Sequence, residues 1–509
     1  MRSSERQESN ANFLAESWVD DQLGRLTPRR KLAQRLIALP GVTDGRPDAA
    51  TRAALRSGLG VLHGLVKMSV SGAAQYHLDV AELCAQAGLP PALVSANLEA
   101  GVGYTLGGGG TDFPYPRGVG LCDDPAMARD IAELAAREAR LVGFHWTFSP
   151  CIDVVTTPDD PILGVRAFGA GAARTAVLGA AQVLGYQSGG LLATAKHYPG
   201  HGDSATDTHS DLAFLTRTPG EHDGMHLLPF RAAVAAGVAS VMVAHVALPQ
   251  FGVDGPASLS PLVNRTWLRE DLGFDGIIVT DALRMGAIAA RWSPAEAAVA
   301  SLAAGADVAN VKVPAEEIPA ILDVLEAALA AGQLDADELD RSVARLLRAK
   351  VQVGLHQGHG IDLNRSAELD TGRAWDGPEL ARTVSTRSQP RISGPAVVVG
   401  DSELARRLAA RLDAPHEAVA VTEESLVPAD QGATVIAVAC PLPVDGGRDS
   451  EAFAAAVGSA REAGADVIAV VNSVVTELRV DGPSVSVPAV DAFGMVSNAA
   501  VEAVVAALR

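Results

Sequence analysis

Up to about residue 355 the chain alternates short apolar runs with longer Ala- and Leu-rich segments at helical spacing. The runs include 60–65, 92–97, 144–150, 191–197, 241–245, 277–281 and 306–311, and helix candidates between them include 126–141, 170–184, 227–236 and 318–331. Apolar runs that alternate with helices predict a parallel sheet covered by helices. About eight such units in some 350 residues fit a closed (β/α)₈ barrel better than an open sheet. The expected fold class is therefore α/β, with a TIM-like barrel over 1–355.

The barrel reading makes a further demand, because functional groups in such folds sit at the C-terminal ends of the strands. Asn97, Asp153, Lys196, His197, His245 and Asp281 each fall at or just beyond the end of an apolar run.

From 356 to 393 the pattern dissolves into Gly, Asp, Arg, Ser and Thr, which reads as a linker with one short helix around 378–384. Strand-like runs then return at 396–399, 418–421, 435–439, 467–471 and 485–490, separated by helical segments at 403–412, 451–463 and 498–508. These predict a smaller doubly wound α/β domain over 394–509. Val399-Gly400-Asp401 lacks a GxGxxG fingerprint, so no nucleotide site is expected there.

Composition narrows the function. A formal charge of −19 with no basic stripe argues against nucleic acid. No apolar stretch is long enough to cross a bilayer, and the polar N-terminus has no signal-peptide core behind it. A cytoplasmic protein without a membrane partner is expected. Cys84, Cys122, Cys151 and Cys440 lie far apart without a CxxC pair and read as buried thiols.

The segment richest in chemistry runs from Lys196 to His209 and packs one lysine, three histidines and two acids into a loop after a buried strand. His197 and His201 have the spacing of two zinc ligands on a helix, but Pro199 and Gly200 between them remove the helix, so neither metal nor cofactor is expected. In Asp207-Thr208-His209, a carboxylate beside an imidazole favours its charged form and fixes the ring, as acid/base work requires. A nucleophile is offered by the run 277–279, which delivers Asp281 to the same rim. Together they allow a two-step retaining displacement at an anomeric carbon.

At these two segments the sequence resembles bacterial β-N-acetylglucosaminidases of glycoside hydrolase family 3. The resemblance rests on Lys196-His197-Tyr198-Pro199-Gly200-His201-Gly202-Asp203 with Asp207 and His209, and on Leu272-Gly273-Phe274-Asp275-Gly276 with Thr280, Asp281, Leu283 and Met285. Ala257 to Pro261 and Arg166-Ala167-Phe168-Gly169 also match. It implies removal of terminal β-linked N-acetylglucosamine from a small glycoside through a covalent glycosyl-enzyme. Asp281 matches the nucleophile, His209 the acid/base and Asp207 its partner, with Lys196, His197 and Arg166 on the sugar hydroxyls. The family's D-x-E-G-G motif appears here as Asn97-Leu98-Glu99-Ala100-Gly101, which makes Asn97 and Glu99 substrate-binding candidates. Asn97 and Thr105 stand where the family's muropeptide-recycling members carry Asp and Arg, and Ala282 stands where a second Asp is frequent. The altered glycone contacts leave two alternatives open: a β-N-acetylglucosaminide phosphorylase on the same scaffold, and a non-catalytic sugar-binding or regulatory protein.

Overall fold

The computed structural model describes residues 2–371 apart from 66, 67, 158–161 and 205; beyond 371 it describes 373–374, 385–387, 396–399, 403–412, 414, 416–417, 434–439, 448–462, 467–472, 484–487 and 498–508. Seven barrel strands are β1 (Ile37–Ala38), β2 (Val61–His63), β3 (Leu93–Ala96), β4 (Trp146–Thr147), β5 (Thr194–Tyr198), β6 (Ser240–Val243) and β7 (Ile277–Thr280). β1 to β4 pair in parallel in that order, as do β5, β6 and β7. Parallel bridges Trp146↔Leu192, Val279↔Val308 and Leu36↔Ala309 join the two groups and add an eighth stave at 308–309. The circuit closes, as the repeat pattern predicts.

Alternation along each strand separates two cores. Ile37, Val61, Leu93, Trp146, Leu192, Met242, Ile277, Val279 and Val308 pack together inside the barrel. Neighbours such as Leu62, Val94, Ala195, Val241 and Ile278 face the helical layer. The indole N–H of Trp146 donates to Thr194 Oγ1 (2.8 Å) and Ser240 Oγ (2.9 Å), so the largest interior side chain is satisfied without water.

The helices show why the sequence stops and starts where it does. Pro125–Val142 opens with Asp124 accepting from the Ala126 and Met127 amides and with Pro125 in the first turn, and it ends at the left-handed Gly143. The next helix, Ala172–Ser188, lies against it so closely that a Cβ on Gly185 would stand 2.2 Å from the Arg129 carbonyl.

Several elements escaped the periodicity, among them the strand 385–387, which belongs to the C-terminal sheet although it lies in the stretch 356–393 read as a linker. β1 has two residues flanked by helix and turn, too short to register as a run. In the stretch read as a linker, Asp362 caps the helix Leu363–Leu369, which packs on the helices Val70–Gln86 and Pro125–Val142. Asp370 Oδ1 accepts from the Val70 amide (2.6 Å), and Arg373–Ala374 pairs with Thr111–Asp112. With only Ser366 and Leu369 buried, that helix leaves almost no apolar signal. The helix expected around 378–384 lies outside the described residues, as do the strand at 418–421 and Cys440.

The C-terminal sheet has six strands in the order 385–387, 484–487, 467–472, 434–439, 396–399 and 416–417. All neighbours are parallel except the antiparallel pair at the 385–387 edge. Val398, Ile436 and Ile468 pack with the helices Glu403–Leu412 and Asn498–Leu508. Val399, Val435, Ala437 and Val467 point the other way, toward Phe453 and Val457 of Arg448–Glu462. Helices on both faces make this sheet doubly wound.

Candidate active site

The C-terminal ends of the barrel strands converge on a narrow cavity. Its foundation is Glu99, fully buried just beyond β3. One oxygen, Oε1, accepts from Lys196 Nζ of β5 at 2.7 Å and from Arg166 Nη2 at 2.8 Å. Burial alone would raise this carboxyl's pKa, but the two cations hold it at about 2. Lys196 Nζ also reaches Asn97 Oδ1 at 3.4 Å. Lys196, Arg166 and Asn97 line the cavity, whereas Glu99 lies behind the wall and positions two of them.

Asp153 repeats the device. Its Oδ2 accepts from His197 Nδ1 at 2.6 Å, from the His197 amide at 3.0 Å and from the Cys151 thiol at 3.3 Å. Oδ1 accepts from the His201 amide at 2.7 Å. These donors keep the carboxyl at about 2 against the upward push of burial. Cys151, Asp153 and His197 place ligand-type atoms within 4.8 Å of one another, a spacing that could hold a metal ion. Hydrogen bonds to Asp153 account for the same cluster, and Nδ1–H of His197 is engaged, which leaves Nε2 toward the cavity. Burial lowers the His197 pKa, with Asp153 and Asp281 opposing.

Asp281 follows β7 and is partly exposed to the cavity. Its Oδ1 accepts from the Ala282 amide at 2.7 Å. Burial would raise its pKa, but His197, His245, the Ala282 amide and Lys312 together hold it well below the usual carboxylate range. Asp281 is therefore ionised at neutral pH. His245, just beyond β6, donates from Nε2 to the Ala282 carbonyl at 3.0 Å, so Nδ1 accepts from Ser258 Oγ at 2.7 Å in the neutral ring.

The loop carrying Asp207 and His209 is built as an Asx turn. Asp207 Oδ1 accepts both the His209 amide (2.8 Å) and His209 Nδ1 (2.9 Å), and the Asp207 carbonyl accepts from the Ser210 and Asp211 amides. Since a carboxylate can only accept, Nδ1 carries the proton and Nε2 is left for exchange. The loop is tied to the chain that follows Asp281. Gly286 N–H donates to the His209 carbonyl at 2.9 Å, and Ala287 N–H to that of Thr208 at 3.2 Å. A Cβ on Gly286 would stand 2.6 Å from the His209 oxygen. The loop's other limb is pinned where Asp203 Oδ1 accepts from Arg217 Nη2 (2.7 Å) and Thr156 Oγ1 (2.6 Å).

Of the residues singled out from sequence, Asp281, His209, Lys196, His197, Arg166 and Asn97 line this cavity, while Asp207 stands behind His209 and Glu99 behind Lys196. Sequence reasoning missed His63, Asn310 and Lys312 on the same wall. His63 stacks on Phe148 with ring centroids 5.0 Å apart, and burial together with the Lys312 and Lys196 charges lowers its pKa to about 3. Each lies at the end of a barrel stave, and that position was the one available signal.

Over residues 67–349 the chain matches the glycosyl hydrolase family 3 N terminal domain. It is 35% identical over 337 residues to the beta-hexosaminidase LpqI of Mycobacterium tuberculosis, covering 64% of this chain and 83% of that one. A beta-N-acetylglucosaminidase/beta-glucosidase of Cellulomonas fimi is 31% identical over 361 residues, covering 69% and 62%. Among solved structures, a family 3 beta-N-acetylglucosaminidase from Paenibacillus sp. str. FPU-7 has a TM-score of 0.80 at 26% identity, with 94% of this chain and 96% of that chain covered. With the barrel, the smaller α/β domain and the converging carboxylate, histidines and cations in place, these likenesses make the chain a glycosidase that belongs to glycosyl hydrolase family 3.

Proposed function

We propose that this enzyme removes terminal β-linked N-acetylglucosamine units from small glycosides by a retaining double displacement. The observation that carries the roles is that Asp281 is the single carboxylate among the described residues lining the cavity, and it shares that cavity with His209. In the first step an Asp281 oxygen bonds to the anomeric carbon as the glycosidic C–O bond breaks. The proton on His209 Nε2 goes to the departing oxygen. In the second step that nitrogen takes a proton from water, whose oxygen bonds to the anomeric carbon and releases Asp281. Asp207 holds the ring in the tautomer that both steps need, and such acid/base catalysis contributes roughly 10²–10⁴-fold. Lys196 and Arg166 donate to glycone hydroxyls, and His197 Nε2 accepts from one. The beta-hexosaminidase names of the relatives support the choice of sugar.

The test is incubation with p-nitrophenyl β-N-acetylglucosaminide, with and without inorganic phosphate, and identification of the sugar formed. Free N-acetylglucosamine in both arms, with an initial β-configuration by NMR, is expected. Sugar-1-phosphate would assign the protein to phosphorolysis. Persisting turnover in Asp281→Asn would remove the nucleophile assignment.

A further inference from the structure

The cavity wall carries one more cation than its hydroxyl-binding pair accounts for. Three cations, Arg166, Lys196 and Lys312, face a single acid, Asp281. Arg166 and Lys196 share one carboxylate behind the wall. Lys312 has no such support: among the described residues no carboxylate lies within ion-pair distance of its ammonium. It follows the eighth stave, whose neighbour β7 carries Asp281, and on its other side the barrel continues to β1 and β2, where His63 stands. Near β3 the wall offers the neutral Asn97.

The backbone marks the position as unusual. Lys312 sits at φ 48°, a left-handed conformation that the described chain otherwise gives to glycine, except at two aspartates. The peptide is fastened there, with the Lys312 N–H donating to the Ile37 carbonyl at 3.1 Å. A long cationic side chain sits on a backbone conformation that disfavours it, at the rim of the cavity. Burial lowers the Lys312 pKa, opposed by Asp281. A ligand anion would supply a counter-charge within ion-pair distance.

The geometry points to a glycone that is itself acidic: an N-acetylhexosamine bearing a sulfate, phosphate ester or carboxylate, with Lys312 as the residue that reads the charge. This specificity rests on the glycosidase reading above. It deepens that reading by naming the substrate class, and it leaves the roles of Asp281 and His209 unchanged.

The test compares kcat/KM for p-nitrophenyl β-N-acetylglucosaminide with that for its 6-sulfate, its 6-phosphate and its 3-O-carboxyalkyl ether, in the parent enzyme, Lys312→Met and Lys312→Arg. One charge-assisted contact predicts at least about a tenfold preference for one acidic substrate in the parent, lost in Lys312→Met and partly kept in Lys312→Arg. Calorimetric titration of the parent with N-acetylglucosamine and its 6-sulfate gives the same comparison without a variant. A neutral substrate faster than all acidic ones, or a preference that Lys312→Met leaves unmoved, would overturn the inference while leaving the hydrolase standing. Inclusion of inorganic phosphate separates a second source of the anion. If Lys312→Met removes only sugar-1-phosphate formation, the lysine serves an attacking phosphate and the acidic-glycone assignment falls. No turnover of any substrate would overturn the glycosidase reading and the inference together.

Discussion

Glu99→Gln isolates the carboxylate on which two cavity cations depend. The parent carboxyl is drawn from 4.5 down to about 2, a displacement equivalent to about 3 kcal/mol. Removing one member of a buried ion pair costs a similar amount, about 3–5 kcal/mol, because the partners keep their charge without compensation. Here the stranded partners are Lys196 and Arg166, whose side chains are 2% and 5% exposed. Glutamine retains an oxygen that can accept from one of them, which places the expected loss near 3 kcal/mol. The sign with pH follows from the depressed carboxyl. Its contribution is complete above about pH 4.5 and is lost as pH falls toward about 2. Urea unfolding followed by tryptophan fluorescence should therefore show a constant gap between parent and variant from pH 7 to 5, narrowing below. KM should rise at the same time, since Lys196 and Arg166 lose their fixed positions on the wall. A variant within 1 kcal/mol of the parent at pH 7, with an unchanged KM, would refute the idea that this carboxylate organises the pocket.

Asp207→Ala should lower kcat/KM for an alkyl glycoside by roughly 10–10³-fold and by much less for a dinitrophenyl glycoside, which leaves without protonation. Equal losses on both would show that Asp207 acts on something other than proton transfer. Gly202→Ala should displace the catalytic loop, because its Cβ would fall 2.3 Å from the Val154 carbonyl; a fully active variant would contradict that close approach. Lys350 is buried against Gln34 Oε1 (2.5 Å), and burial lowers its pKa from 10.5 to about 7. Both folded and unfolded states bind the proton below pH 7, so the cost of the buried charge is complete there and fades as pH rises toward 10.5. Lys350→Met should stabilise the fold by up to about 5 kcal/mol at pH 6 and much less at pH 10, as read by urea unfolding at the two pH values.

The legible parts of the molecule were those in which sequence-local patterns decide the structure. The run 277–279 sits on a strand whose neighbours were unknown, yet its apolar length placed Asp281 at a strand end. The Asp-x-His turn is closed by its own backbone, so Asp207 and His209 carried their relation within three residues. What stayed hidden depends on residues far apart in the chain. Glu99 meets Lys196 across 97 positions, and the sequence could not tell whether it faces sugar or protein. His63 and Lys312 stand alone between apolar neighbours and become wall residues only when the barrel closes through Val279↔Val308 and Leu36↔Ala309. β1 and the helix Leu363–Leu369 were missed for the opposite reason. Each is held by tertiary contacts and is too short to print a period.

The arrangement of acids explains how a barrel rim so rich in cations and histidines can hold an ionised carboxylate, the nucleophile of the mechanism we propose. A nucleophilic aspartate must remain ionised while partly buried, and burial works against that. The protein answers with the Ala282 amide, Lys312 and two imidazoles, and the same burial pushes His197, His245 and Lys312 toward neutrality. Asp153 opposes this for His197 through a 2.6 Å bond from behind the wall, and the Ala282 carbonyl and Asp281 itself do so for His245. Glu99 does the equivalent for Lys196 and Arg166. The supporting carboxylates are buried and do not line the cavity, so they fix their partners without competing for the anomeric carbon. Asp281 differs in the one respect that decides its role: it is the carboxylate that reaches the cavity.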